Sequence, residues 1–174
     1  MATQVDDALR LVATVPDFPE PGVLFRDLNP VIADPVAFAT VVDALAEAVD
    51  DDTQLLAAVE ARGFLFAAAL AYARGLGIVP VRKPGKLPSV GRRIQYTLEY
   101  GSTTLELPSG AITPGSNVLV VDDVLATGGT AAAVCELVEG AGGIVQGLAM
   151  VLELSALHGR ERLPGRRVHT LRLV

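Results

Sequence analysis

Several things are scarce in this chain: it has no tryptophan, one cysteine, two histidines, and an aromatic fraction of only 5%. Each shortage closes off a class of function. With Cys135 alone, no disulfide forms within one chain, so a reducing cytoplasm is the default location. Few aromatics leave no obvious stacking platform for nucleic acid. Basic residues are outnumbered, 14 Lys and Arg against 20 Asp and Glu, and the resulting net charge of −6 argues against nucleic acid or an anionic membrane as partner. His158 and His169 have no metal-ligand partners at useful spacing and read as surface or structural residues. The longest apolar run, residues 64–73, is too short to span a bilayer, and residues 1–13 lack the marks of a signal peptide.

What is present fits a globular protein. At 174 residues, with 51% hydrophobic and 20% charged residues, the chain is expected to form one domain, 1–174, with a sizeable core. Val5, Ala8, Leu9 and Val12 recur at helical spacing. Pro16, Pro19, Pro21 and Gly22 then break the pattern, and residues 17–27 read as a rigid loop able to present its backbone to a flat ligand. Asp34 before Pro35 is a helix start, with Phe38, Val42, Leu45 and Val49 as the buried stripe and Asp50 to Asp52 ending the helix in solvent.

Strands are expected at 55–59, 78–81, 118–121, 144–152 and, at an edge, 168–174, with helices at 64–74 and 131–138. Alternation of this kind predicts an α/β fold with a central, mostly parallel sheet flanked by helices. Between them the composition shifts. Arg82, Lys83, Lys86, Arg92 and Arg93 place five of the fourteen basic residues within twelve positions, among Pro84, Gly85, Pro88 and Gly91. A mobile basic lid is the expectation, growing into a hairpin from 94–100 and 103–107.

The most informative stretch is 118–130, Val-Leu-Val-Val-Asp-Asp-Val-Leu-Ala-Thr-Gly-Gly-Thr. A buried strand there gives way to a helix through an acidic and then glycine-rich turn. Glycines let backbone approach an anion, and a helix N-terminus offers unpaired N–H groups with a partial charge of roughly +0.5. Thr127 and Thr130 add hydroxyls. Asp122 and Asp123 repel a phosphate, but at a strand's carboxyl end they accept hydrogen bonds from a vicinal diol or help hold a hydrated Mg²⁺. Phosphate plus diol describes a ribose 5-phosphate. The stretch has no lysine, as a Walker loop requires, and no G-x-G-x-x-G.

This stretch resembles the phosphoribosyl-pyrophosphate (PRPP) motif of type I phosphoribosyltransferases. Residues 17–27, Glu60-Ala-Arg-Gly-Phe-Leu-Phe, Val81-Arg-Lys-Pro-Gly-Lys-Leu-Pro, Leu98-Glu-Tyr-Gly and 153–163 extend the likeness along nearly the whole chain, toward the adenine branch of that family. The resemblance implies a type I phosphoribosyltransferase-like fold with an N-terminal hood segment, 1–33, and a flexible loop and hairpin, 82–107. It implies transfer of phosphoribose from PRPP to adenine, giving AMP and pyrophosphate with Mg²⁺ as cofactor, in a cytoplasmic homodimer of purine salvage.

Carried over by residue, the resemblance assigns Ala126, Thr127, Gly128, Gly129 and Thr130 to the 5′-phosphate, and Asp122 and Asp123 to the ribose hydroxyls. Glu60, Ala61, Arg62 and Gly63 match the pyrophosphate loop, with a cis peptide expected before Ala61; Arg82, Lys83 and Lys86 join it. Leu24, Phe25, Arg26 and Leu125 would hold adenine, the backbone of Leu24 and Arg26 reading its edge. Glu99, Arg62 and Lys86 would serve catalysis, and no residue would bind the metal directly. Asn29 and Ala67 depart from the family pattern, which usually has Thr or Ser and Gly there. Two alternatives stand beside this reading: transfer to another purine base, and a regulator that senses PRPP or a nucleotide without turning it over.

Overall fold

The structure, a computed structural model, describes residues 2–97 and 102–174. It divides into two compact units, Met1–Ala44 and Leu45–Val174.

In the first unit, helix α1 (Ala2–Leu9) buries Ala8 and Leu9. Strands β1 (Ala13–Pro16) and β2 (Leu24–Asp27) pair antiparallel, with Val15 opposite Phe25. Their connection contains the cis Phe18–Pro19 bond, and the Gly22 N–H donates to the Asp17 carboxylate at 2.7 Å. The loop expected over 17–27 therefore stops short. Proline and glycine are concentrated before residue 23, and the four residues after that point extend and pair. Helices α2 (Asn29–Ala33) and α3 (Pro35–Leu45) follow. Asp34 caps α3 as its position predicts, its carboxylate accepting the N–H groups of Val36 and Ala37 at 3.0 and 2.8 Å.

The second unit begins at Leu45, the last residue of α3, and a tight turn over 46–48 follows, so the helix ends five residues before Asp50, the first of the acids expected to end it. Those acids are not simply solvated. Arg167 clasps Asp50 with bonds of 2.9 and 2.7 Å, while Asn117 and Gln146 donate to Asp52 at 2.8 and 2.6 Å. They tie together the starts of the strands.

Those strands are β3 (Leu55–Val59), β4 (Gly77–Val81), β7 (Asn117–Leu125), β8 (Ile144–Glu153) and β9 (Val168–Leu173). They form one all-parallel sheet in the order β4-β3-β7-β8-β9, with the C-terminal strand at an edge as expected. Helix α4 (Gly63–Arg74) packs on β3, β4 and β7, and α5 (Gly129–Gly140) on β3, β7 and β8. Strand alternation divides the core. Ala57, Val59, Val118, Val120, Leu148 and Met150 join Val134, Leu137 and Val138 of α5 in one buried cluster. Strands β5 (Val90–Thr97) and β6 (Ser102–Pro108) form the expected antiparallel hairpin, starting four residues earlier than the pattern indicated, and Leu105 and Leu107 of β6 join that cluster.

The largest difference from expectation lies in β7. It continues through Asp122 and Asp123 to Leu125, because β8 runs alongside and pairs Asp122 with Met150 and Leu125 with Glu153. The acid pair lies within the paired strand, two residues short of its end, and not at the beginning of a turn. Strand ends 59, 81 and 125 open on the same rim of the parallel sheet, where ligands of such sheets bind.

Candidate active site

At that rim a cleft of about 380 Å³ is lined by Glu60, Ala61, Arg62, Lys83, Tyr96, Asp122, Asp123 and Thr130, with Val59, Thr103 and Leu105 as its apolar and hydroxyl wall. A smaller adjoining hollow of about 60 Å³ is bounded by residues 124–131 and Asp122. The structure thus brings together the acid pair, the glycine turn and the pyrophosphate-loop candidates.

The turn after β7 is built from its glycines. Gly128 has φ of +79°, a left-handed conformation, and acts as the N-cap of α5 without any side-chain cap. The first amide groups of α5 are thereby left to a ligand, which is the arrangement that favours an anion. On the other wall the Glu60–Ala61 peptide is cis, as the resemblance implied. Gly63, which starts α4, lies so near β7 that a Cβ there would stand 2.8 Å from Asp122 Oδ1 and 3.1 Å from the Val121 carbonyl oxygen. Only glycine allows this approach of the start of α4 to β7.

Charges in the cleft are paired across it. Arg62 Nε meets Asp123 Oδ2 at 2.5 Å, an ion pair rather than an aligned hydrogen bond. Asp122 accepts the Asp123 N–H at 2.8 Å. Burial first, and then the neighbouring Asp123 charge, push the Asp122 carboxyl well above its ordinary range. Glu60 behaves oppositely. Burial opposes its ionisation, but hydrogen bonds from the Arg82 guanidinium at 3.2 and 3.3 Å and from the Lys83 N–H at 3.0 Å outweigh it and hold the carboxyl below its usual value. Arg82 also donates to the Lys86 carbonyl at 3.2 Å, which ties the start of the basic loop to Glu60. Lys83 and Lys86 are exposed and form no ion pair among the described residues.

A model of the phosphoribosyl transferase domain matches residues 32–164. The adenine phosphoribosyltransferase of Saccharopolyspora erythraea is 58% identical over 161 residues, which is 92% of this chain and 87% of that protein. The chain belongs to the adenine phosphoribosyltransferase family. Solved structures of that family agree in fold: the enzyme from Rhodothermus marinus superposes with a TM-score of 0.95 at 44% identity, over 100% of each chain. The Saccharomyces cerevisiae enzyme, crystallised with an imino-altritol bisphosphate and adenine, gives 0.92 at 41% identity, covering 99% of this chain and all of that one.

Against this family background, some site residues come from places that sequence reasoning did not mark. Tyr96, on β5, bonds its hydroxyl to Thr130 Oγ1 at 2.9 Å and lines the cleft, with Thr103 and Leu105 of β6 beside it. The only signal was their place in the hairpin, which does not reveal which face turns inward. Burial, opposed by the Thr130 bond and reinforced by the Asp122 charge, raises the Tyr96 phenol above its ordinary value. Leu24, Phe25 and Arg26 occupy β2 of the first unit, where Phe18 packs edge-on against Phe25 with ring centres 5.0 Å apart. Glu99 lies outside the described residues, as do Leu98, Tyr100 and Gly101. Cys135 is buried in α5, where burial lifts its thiol to about 11, and it has the character of an inert core residue.

Proposed function

We propose that the protein transfers the phosphoribosyl group of PRPP to adenine, releasing AMP and pyrophosphate. The observation that carries this reading is the single rim where an acid pair and a cation-lined loop line one cleft and a glycine-capped helix start bounds the hollow beside it. The α5 amides and the hydroxyls of Thr127 and Thr130 receive the 5′-phosphate; Asp122 and Asp123 receive the ribose 2′- and 3′-hydroxyls. Leaving pyrophosphate gains negative charge as the ribose ring becomes positive, so Arg62, Lys83 and Lys86 placed on it stabilise the transition state more than the ground state. Binding of PRPP would draw Arg62 from Asp123 toward the leaving group, exchanging one anionic partner for another.

Mg²⁺ fits as an ion held mainly by PRPP and water. Among the described residues no three His, Cys, Asp or Glu side chains are grouped to hold a metal, while Asp122 and Asp123 can accept hydrogen bonds from its water shell. When bound it neutralises pyrophosphate charge. Within 82–107 the exposed stretch 83–86 acts as the lid that excludes water, which would otherwise hydrolyse PRPP, while Leu105 and Leu107 of that segment stay in the core.

Adenine is assigned to β2. In an antiparallel ribbon residues two apart turn their N–H and C=O to the same edge, so Leu24 and Arg26 can offer a carbonyl beside an N–H. That pair matches adenine and opposes hypoxanthine; an inverted match costs a factor of ~10⁴ or more. The resemblance assigns Phe25 and Leu125 to the ring faces. Glu99 takes or relays the proton that adenine loses. The protein acts as one catalytic domain, in the cytoplasm and as a homodimer; no helix among the described residues is long and apolar enough to cross a membrane. The test is incubation with PRPP, Mg²⁺ and adenine, hypoxanthine or guanine in turn, following pyrophosphate. Turnover with adenine alone is expected, and turnover with hypoxanthine but not adenine would overturn the assignment.

A further inference from the structure

One ion pair, with a buried carboxylate and a half-exposed guanidinium, has no part in the chemistry above. Glu153, the last residue of β8, is 6% exposed, and Arg160 grips it from Nε at 2.8 and 2.9 Å and from the terminal nitrogen at 2.7 Å. The same guanidinium donates to the Val168 carbonyl at 3.0 Å and the Thr170 hydroxyl at 3.1 Å, both on β9. An ion pair with one partner half in solvent is weak evidence for stability in itself, so what matters is what its geometry holds in place.

What it holds is Gly159. A Cβ on Gly159 would fall onto the Ala126 carbonyl oxygen and stand 3.1 Å from both the Gly128 nitrogen and Leu125 Cγ. A Cβ on Gly128 would fall onto the Gly159 carbonyl oxygen. Two turns thirty residues apart in the chain therefore interlock backbone to backbone. His158, at φ +50°, aims the second turn, and Leu163 anchors its far side in the core cluster that also contains Leu125.

We propose that Glu153, Gly159 and Arg160 are positioning residues for the sugar-phosphate turn: the ion pair clamps Gly159 against Gly128 and keeps the α5 amides aimed at the 5′-phosphate. This rests on the reading of 126–130 as the phosphate site. Backbone amides bind an anion well only when they are held in place beforehand, and a Thr-Gly-Gly turn has little stiffness of its own. Neither Glu153 nor Arg160 needs to touch substrate.

The test compares AMP with adenosine, which lacks the phosphate, by calorimetry on Gly159→Ala, Arg160→Lys and Glu153→Gln, with a melting curve for each. Misplaced amides should weaken AMP by about tenfold or more and leave adenosine within about twofold, with the KM for PRPP rising and the KM for adenine unmoved. Arg160→Lys, which keeps the charge but not the fork, should lose less than Arg160→Ala. If Gly159→Ala does not fold, Arg160→Lys and Glu153→Gln decide, since they add no atom to the turn. Equal loss for AMP and adenosine, or unchanged AMP affinity in both of those variants, would overturn the proposal. Thr127→Val separates the two layers: if it weakens AMP while the clamp variants do not, the clamp alone fails, and if it has no effect the phosphate assignment fails with it.

Discussion

Asp122 is the residue at which stability and binding oppose each other. Its carboxyl is raised by burial and by Asp123, whose own charge is met by Arg62. A native value above the ordinary 3.8 means that the folded state holds the proton more tightly than the unfolded chain does. Stability from this group is therefore greatest at acid pH and falls as pH rises from the ordinary value through the native one. Asp122→Asn should raise the melting temperature of the ligand-free protein at neutral pH, and the gain should vanish near pH 4. The same variant should bind ribose 5-phosphate more weakly, because an amide replaces a carboxylate acceptor at the diol. Melting curves at both pH values, with and without the sugar phosphate, check both halves. At the neighbouring position Asp123→Ala should weaken PRPP binding, whereas Glu99→Ala should lower kcat far more than PRPP affinity. Small, equal losses in the two variants would mean that neither residue has the proposed role.

Among the elements, β5 is where a contact far apart in sequence does the coupling. Tyr96 links the hairpin to Thr130, the second residue of α5. Tyr96→Phe removes one half-buried hydrogen bond and should weaken AMP binding by about threefold to tenfold, with little change for adenosine. An unchanged dissociation constant would make the bond incidental to binding. Elements of this chain were legible where one local force dominates. Leu55–Val59 is a continuous apolar run and Asp34-Pro35 an unambiguous cap, and both appear where the pattern puts them. β7 outran its pattern because aspartate is a poor strand former on its own, yet the pairing of Asp122 with Met150 supplies what propensity lacks. The ligand turn could be read because glycines and threonines carry their role locally. The ion pairs Arg62–Asp123 and Glu153–Arg160 could not, since nothing in a linear string states which charges meet after folding.

For the whole molecule, the puzzle is that a chain of net charge −6 is proposed to bind a highly anionic substrate. Two fields of different reach resolve it. A net charge of −6 should repel PRPP from afar, while Arg62, Arg82 and Lys83 lie near Glu60 and the cleft and would act at contact distances. Salt separates the two, because the screening length shrinks from about 30 Å at 0.01 M to about 8 Å at 0.15 M. Over that range the distant repulsion is largely removed and the contacts inside the cleft are nearly untouched. The KM for PRPP, measured at fixed Mg²⁺ and saturating adenine, should therefore stay level or fall as salt rises. Proteins that attract a polyanion through a basic surface show the reverse, losing orders of magnitude in affinity. Replacing Lys83 and Lys86 together by alanine should raise that KM by about tenfold at low and high salt alike, as expected of groups that act by touching the leaving pyrophosphate. A steep rise in KM with salt in the unaltered protein, abolished in the double variant, would instead mean that residues 82–93 capture PRPP at a distance.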